Sequence, residues 1–288
     1  MTRVNGVYFA YGTVVRWNGR RRVFPILRSR DLVHWRVAGA AFARPPGWAR
    51  ERFWAPSPLH RGRLTYLFYS AQNRRGRHCV AVATAGHPAG RFRHRSMLAC
   101  GRPLGYIDPY AFVDPRGRAW LYVARADPLC HLTLGSCFIS AYRLSDDLLR
   151  VAGPRRILLG VSEHWERGPD YETVENPFVF EHEGTYYMLY SANDWRTEEY
   201  AMGYAVASSP VGPFVKAREP LMSTTPVVSG PGGGSVVVGP GGGHWLVYHG
   251  RRSGFGKPHE RMLHIDPLVV GAGAMTTSGP TVGMDLAP

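Results

Sequence analysis

Residues 174–191 read VENPFVFEHEGTYYMLYS, and the folding of this stretch decides how the rest of the chain is read. Tyr186, Met188 and Tyr190 alternate with Tyr187, Leu189 and Ser191, the period-two pattern of a half-buried strand. EHEG ahead of it supplies the glycine of a tight turn, and VENPFVF is an apolar approach to that turn. Glu175 sits where the approach begins. It is either a solvated turn residue or an acid held beside a cleft, and the stretch alone leaves both open.

The same arrangement recurs along the chain. VNGVYFAYGT (4–13), SPLHRGRLTYLFYS (57–70), AFVDPRGRAWLYVA (111–124), FVFEHEGTYYMLYS (178–191) and VVVGPGGGHWLVYHG (236–250) each join an apolar approach, a glycine turn and an aromatic strand. The turn glycines fall at 6, 62, 117, 184 and 242, with spacings of 56, 55, 67 and 58. Further strand-like runs follow the first four copies: RVFPILRS, HCVAVATA, CFISAYRLS and YAMGYAVASS. SRDLVHWRVAG (29–39), HPAGRFRH (87–94) and SPVGPFVK (209–216) act as closing segments. A unit of this length with several strands matches one propeller blade, which cannot bury both faces alone and stacks on its neighbours. Five units account for the chain. The expected fold is all-β, a five-bladed β-propeller forming a single domain over residues 1–288, with the first blade truncated at its N-terminus.

Composition supports a packed core: of 288 residues, 44% are hydrophobic and 19% charged, which excludes a disordered chain. The 34 glycines and 23 prolines punctuate the apolar runs as turns do. No apolar run reaches the roughly eighteen residues of a transmembrane helix, so no membrane partner is expected. Net charge is +14, and all but Lys216 and Lys257 of the 35 basic residues are arginine. The basic segments RWNGRRR (16–22), RRGR (74–77) and RFRHR (91–95) are scattered and match no nucleic-acid-binding motif. They read as solvated loops capable of weak, salt-sensitive attraction to polyanions, not as a specific nucleic-acid site.

Cys79, Cys100, Cys130 and Cys137 lack CxxC spacing, which argues against a zinc site. Pairing as Cys79–Cys100 and Cys130–Cys137 and burial as four thiols are both open. Residues 1–15 show no basic-then-apolar leader. Export is favoured if a longer native N-terminus carries one, and a cytoplasmic location otherwise. The glycine-rich GPGGGSVVVGPGGG (230–243) lacks the Lys-Ser/Thr of a phosphate loop, and no helix pattern follows it. It reads as turns on either side of a strand.

In a propeller the segments heading each repeat converge at the centre. FWAP (53–56), YIDPY (106–110), VENP (174–177) and GPGGGS (230–235) hold these places. They supply Trp54, Asp108 and Glu175. Two carboxylates around a sugar-sized pit are what glycoside hydrolysis requires. One must stay protonated to donate to the leaving oxygen, through burial or a neighbouring negative charge. A flat indole can stack on a sugar ring. Each residue also has a plainer reading: Asp108 as a turn former before Pro109, Trp54 as core, and Arg261 as a surface partner of Glu260 or Asp266. Glu163, Glu166 and Glu172 compete with Glu175 but lie in the loop before its strand.

DLVHW (31–35), FWAP (53–56), IDPYAFVDPRGRAWLY (107–122), VENPFVFEHEGTYYMLYS (174–191), SPVGPF (209–214), GPGGGSVV (230–237) and RMLHIDPLVV (261–270) together resemble glycoside hydrolase family 43. The resemblance runs over essentially the whole chain. It implies a five-bladed propeller and an inverting glycosidase acting on α-L-arabinofuranosidic or β-xylosidic bonds of plant polysaccharide. Glu175 would be the general acid, and Asp108 would orient it and hold its pKa up. Trp54 would form a stacking wall, and Asn176 and Arg261 would contact the sugar. The base, an Asp in an Asp-Pro pair ahead of the first blade's strand, would fall upstream of Met1. It would act across a gap of roughly 6.5–9.5 Å from the acid. The family commonly places His after GPG in the fifth blade; here that position is Gly233, and His249 nearby reads as a packed strand-end histidine. No cofactor or metal is required, the partner is an oligosaccharide or polysaccharide, and the oligomeric state is not legible. Two other functions fit the same residues: a non-catalytic glycan-binding propeller that keeps Trp54 and Arg261, and a basic scaffold for polyanions.

Overall fold

The computed structural model describes residues 1–17, 20–101, 105–125, 137–168, 172–254 and 261–281. Among these residues the regular structure is strand throughout, apart from one 3₁₀ turn at His164–Glu166. The first sheet holds β1 (Thr2–Val4), β2 (Val7–Tyr11), β3 (Val15–Trp17), β4 (Arg20–Ser29) and β5 (Arg36–Phe42). Its order is β1-β2-β4-β3, with β5 also paired to β4. The second sheet runs β6 (Ala49–Arg61), β7 (Leu64–Asn73), β8 (His78–Ala85) and β9 (Arg93–Cys100) in sequence order. The third contains β10 (Tyr106–Val113), β11 (Ala119–Arg125), β12 (Phe138–Arg143) and β13 (Arg156–Gly160).

The fourth contains β14 (Val174–His182), β15 (Thr185–Ala192), β16 (Ala201–Ala207) and β17 (Val215–Lys216). The fifth contains β18 (Val228–Val238), β19 (His244–Arg252), β20 (Met262–Gly271) and β21 (Ala274–Thr277). Five sheets of consecutive strands are the blades of a five-bladed β-propeller, as the repeat requires. By packing, Met1–Asp127 with Ala141–Arg155 form one compact unit, and Pro128–Ser140 with Arg156–Ala287 another.

The five turn glycines have one local cause. Gly6, Gly62, Gly117, Gly184 and Gly242 have φ of 77°, 61°, 76°, 80° and 83°. A Cβ on any of them would meet nothing within 4 Å. Backbone angle, not space, therefore selects glycine at each hairpin.

Strand alternation explains the aromatic runs. In the first unit, Leu67, Tyr69 and Ala71 of β7 and Ala81, Ala83 and Ala85 of β8 pack with Phe24, Phe42 and Phe53. The intervening Phe68, Val80 and Val82 turn to the other face, against Ala111, Leu121 and Val123 of the third sheet. Both faces of the second sheet are thus buried at β7 and β8, and HCVAVATA of β8 reads as an almost continuous buried run rather than an alternating one. In the second unit Tyr187, Leu189 and Met202 of the fourth sheet meet Leu246, Tyr248 and Leu268 of the fifth.

Two sequence expectations resolve here. Cys79 and Cys100 face each other in the β8–β9 ladder and are joined by a disulfide. Cys137 is also disulfide-bonded, while Cys130 lies outside the described residues. The GPGGGS stretch, expected as a turn, instead lies inside β18; the turn is confined to 239–243, closed by the Gly239 N–H donating to the Gly243 carbonyl at 2.8 Å.

Truncation of Phe68, which is fully buried, removes packing on which two sheets depend. Phe68→Ala is expected to cost about 3–5 kcal/mol, read as a large fall in Tm. Val269→Ala, at a side chain 69% exposed, is expected to change stability by no more than about 0.5 kcal/mol.

Candidate active site

Four sheets carry the same irregularity at the head of their first strand. The ladder slips between Trp54 and Ser57, between Ile107 and Tyr110, between Glu175 and Phe178, and between Gly232 and Ser235. Inside each slip one residue has positive φ: Ala55 at 45°, Asp108 at 52°, Asn176 at 53° and Gly233 at 62°. The first three precede a proline, which lacks the N–H a regular ladder would need and is tolerated at a bulge. Asp108 and Glu175 both head a repeat, but they hold different bulge positions. Asp108 occupies the left-handed position itself and matches Asn176; Glu175 is one residue earlier, opposite Ser191.

In the second unit, Glu175 lies at the head of β14 and is 9% exposed. Its Oε1 accepts from the Tyr200 hydroxyl at 2.7 Å and the Asn176 amide at 3.3 Å. The Asn176 amide also donates to the Tyr200 hydroxyl oxygen at 2.9 Å. Burial pushes the Glu175 carboxyl above the usual carboxylate range. The Tyr200 hydrogen bond and the Arg261 charge pull it partly back, and the Asp194 charge adds to the rise. The group is poised to hold a proton where an exposed glutamate would have lost it.

Arg261, just ahead of β20, joins this cluster from the fifth sheet. Its guanidinium lies 4.9 Å from the centre of the Trp195 ring and donates to His249 Nε2 at 3.0 Å. His249 accepts at Nε2, so its own proton sits on Nδ1, which has no partner among the described residues. Burial, then the charges of Arg261, His264 and Arg251, hold the imidazole well below its ordinary pKa and therefore neutral. The half-buried ring stacks on Tyr200, with centroids 5.9 Å apart and planes at 7°. Asp266, a partner for Arg261 on the plainer reading, is taken up by Tyr248 and Thr281.

The run Gly232–Gly234 makes room for these side chains. A Cβ on Gly232 would lie 2.1 Å from Tyr200 Cε1, on Gly233 2.8 Å from His249 Cδ2, and on Gly234 2.2 Å from Met202 Sδ. At Gly233 the space a side chain would need is filled by His249 from the facing strand. Sequence reasoning missed Tyr200 and Trp195 because neither sits in a repeat head.

In the first unit, Trp54 is half-buried and stacks on His78 at 4.6 Å, with the Arg52 guanidinium 5.6 Å from its centre. Burial and then Arg52 push the His78 imidazole down to about 4, keeping it neutral. Asp108 is 7% exposed. Asp31 accepts backbone N–H groups from Val33 and His34, the Ser29 hydroxyl and the His34 ring. Those bonds, the His34 backbone foremost, hold its carboxyl below the usual range and make it a turn anchor.

The competing glutamates have other tasks. Glu166 is fully buried and bonded to the Lys216 ammonium at 2.6 Å, the Tyr190 hydroxyl at 2.7 Å and two backbone N–H groups. Glu172 pairs with Arg167 at 3.7 Å. Among the described residues no group of three or more His, Cys, Asp or Glu side chains is placed to share a metal ion.

The propeller thus carries a buried carboxyl whose pKa is raised, and comparison with known proteins gives the chain a family. The profile of Glycosyl hydrolases family 43 matches residues 1–273, so the chain belongs to this family and is a glycosidase. A β-D-galactofuranosidase of Aspergillus niger is 26% identical over 263 residues, 86% of this chain and 71% of its own. An arabinoxylan arabinofuranohydrolase of Bacillus subtilis is 28% identical over 67% of this chain and 41% of its own. The crystal structure of a thermostable family-43 glycoside hydrolase superposes with a TM-score of 0.84 at 32% identity, covering 97% of this chain and 91% of that one.

Lys216→Met leaves the Glu166 carboxylate buried without its cation and is expected to destabilise by about 3–5 kcal/mol. The double variant Glu166→Gln/Lys216→Met is expected to recover part of that loss in a denaturant titration.

Proposed function

We propose that this protein is an inverting glycosidase cleaving α-L-arabinofuranosidic or β-xylosidic bonds in plant cell-wall polysaccharide, with Glu175 as general acid. The observation that carries the reading is a carboxyl almost excluded from water, anchored through one oxygen, whose pKa burial raises. Family membership supports it, as does the arabinofuranohydrolase among the relatives. Glu175 gives its proton to the glycosidic oxygen as the bond to the anomeric carbon breaks. Water attacks that carbon from the opposite face and loses its proton to a base. Asn176 and Arg261, from the same unit as the acid, contact sugar hydroxyls. Asp31 does not serve as that base, because the turn it anchors uses its carboxylate. Disulfide bonding persists in oxidising compartments, which supports a place outside the cytoplasm.

Protonated Glu175 is the active form, so activity falls as pH rises through its pKa. The upward shift places that alkaline limb above the usual carboxylate range. Glu175→Gln is expected to lower kcat/KM on 4-nitrophenyl arabinofuranoside or xyloside by about 10²–10⁴-fold. The loss should shrink on 2,4-dinitrophenyl glycosides, whose leaving group needs no proton. The assay compares this chain with one extended upstream to include an Asp-Pro pair, and NMR follows the anomer first released. A product of retained configuration, or full activity of Glu175→Gln on both substrates, would overturn the assignment.

A further inference from the structure

Tyr200 stands immediately ahead of β16, twenty-five residues beyond Glu175, and its side chain is fully buried. Its hydroxyl has one proton, donated to Glu175 Oε1 at 2.7 Å. The Asn176 amide donates both to that hydroxyl oxygen, at 2.9 Å, and to Oε1, at 3.3 Å. Three polar groups thus form a closed triangle in which Oε1 only accepts. A carboxylic acid has one accepting oxygen and one that bears the proton. Glu175 Oε2 makes no hydrogen bond among the described residues, so the proton belongs there.

We infer that Tyr200 is a positioning residue of the acid, anchoring Oε1 so that the transferable proton is held on Oε2. This rests on the reading of Glu175 as general acid. When Oε2–H gives its proton to the departing oxygen, the carboxylate left behind is met by donors already in place. A neutral hydrogen bond becomes a charge-assisted one at the moment of reaction. Tyr200 therefore stabilises the transition state without touching the sugar, and its contribution appears in kcat rather than KM.

The surrounding chain is built around this contact. At Gly232 even one methyl group would fall 2.1 Å from Tyr200 Cε1, and the His249 ring stacks on the Tyr200 ring. Among the described residues, the charges that reach Glu175 are those of Asp194, after β15, and Arg261, ahead of β20, and the His249 ring of β19 stacks on Tyr200. None of these three donates a hydrogen bond to its carboxyl. Removing the Tyr200 hydroxyl takes away a donor that favours the charged form, so the Glu175 titration must move to higher pH.

The test is a ¹³C NMR titration of glutamate δ-carboxyls in the wild-type protein and Tyr200→Phe, with the Glu175 signal assigned by its loss in Glu175→Gln. The Tyr200→Phe midpoint is expected at higher pH. In parallel, kcat should fall about tenfold, the scale of one hydrogen bond to a group becoming charged, with KM little changed, and the alkaline limb of the rate profile should move up with the midpoint. Gly232→Ala, which pushes the ring from its seat while keeping the hydroxyl, should shift the midpoint in the same direction and is read on its own if Tyr200→Phe fails to fold. A midpoint that stays put or falls overturns the inference, whatever the activity. If the midpoint rises while no form of the protein releases sugar, the positioning role stands and the proposed glycosidase reaction fails.

Discussion

In a regular strand, neighbouring side chains point to opposite faces. Glu175 and Asn176 are neighbours, yet the amide of one reaches the carboxyl of the other. That contact depends on the bulge between Glu175 and Phe178, where Asn176 takes φ of 53° and breaks the alternation. Without the extra residue, Asn176 would face away from Glu175, and the triangle with Tyr200 would open. A left-handed conformation is mildly costly for any residue but glycine, least so for asparagine and aspartate. The chain uses one of these at this position in the third and fourth sheets and glycine in the fifth. The irregularity is therefore a repeated feature of the architecture, and the chemistry is attached to it.

The fifth sheet uses the same position differently. Where the fourth carries Asn176, it carries Gly233, flanked by two further glycines. Three residues without side chains inside a strand forgo burial and cost conformational entropy. The compensation is the space taken by Tyr200, His249 and Met202, each of which a Cβ would strike at under 3 Å. The glycine run is thus a mould for side chains from the neighbouring strands, and the Gly233 N–H donates to Ser191 Oγ at 2.9 Å across from β15.

Which features the sequence discloses follows from how local their causes are. The hairpin glycines are dictated by the backbone angle of a single residue, so their spacing exposed five units directly. The paired faces of β7 and β8 follow from period-two alternation. Glu175 was found because it directly heads a repeat, and so was Asp108. Their different places in the bulge were not visible, since EN-Pro and ID-Pro look alike until the ladder shows which residue takes the left-handed position. Tyr200 and Trp195 act on residues 25 and 66 positions away by number. Nothing in their own neighbourhood, TEEYAMG and NDWRT, distinguishes them from loop residues. The meaning of GPGGGS was equally hidden, because glycine that opens space and glycine that turns a chain are written with the same letter.

An arginine whose charge reaches a buried acid faces a conflict of its own. Held by a carboxylate, it would be well ordered but electrically spent; left unheld, it would lose rotamer entropy on binding. Arg261 is held by groups that carry no net charge, the Trp195 face and the neutral His249 imidazole, and it meets no carboxylate at ion-pair distance among the described residues. Its charge still reaches Glu175 and pulls the acid toward ionisation. At an effective dielectric of about 20, two charges 4 Å apart interact by about 4 kcal/mol, so an arginine much nearer the carboxyl would strip its proton. Burial of Glu175 outweighs the pull at the distance this arrangement sets. Stacking the guanidinium on an indole and tying it to an imidazole keeps the cation oriented while the acid's pKa stays raised, a combination that an Arg–carboxylate pair at Glu175 itself could not give.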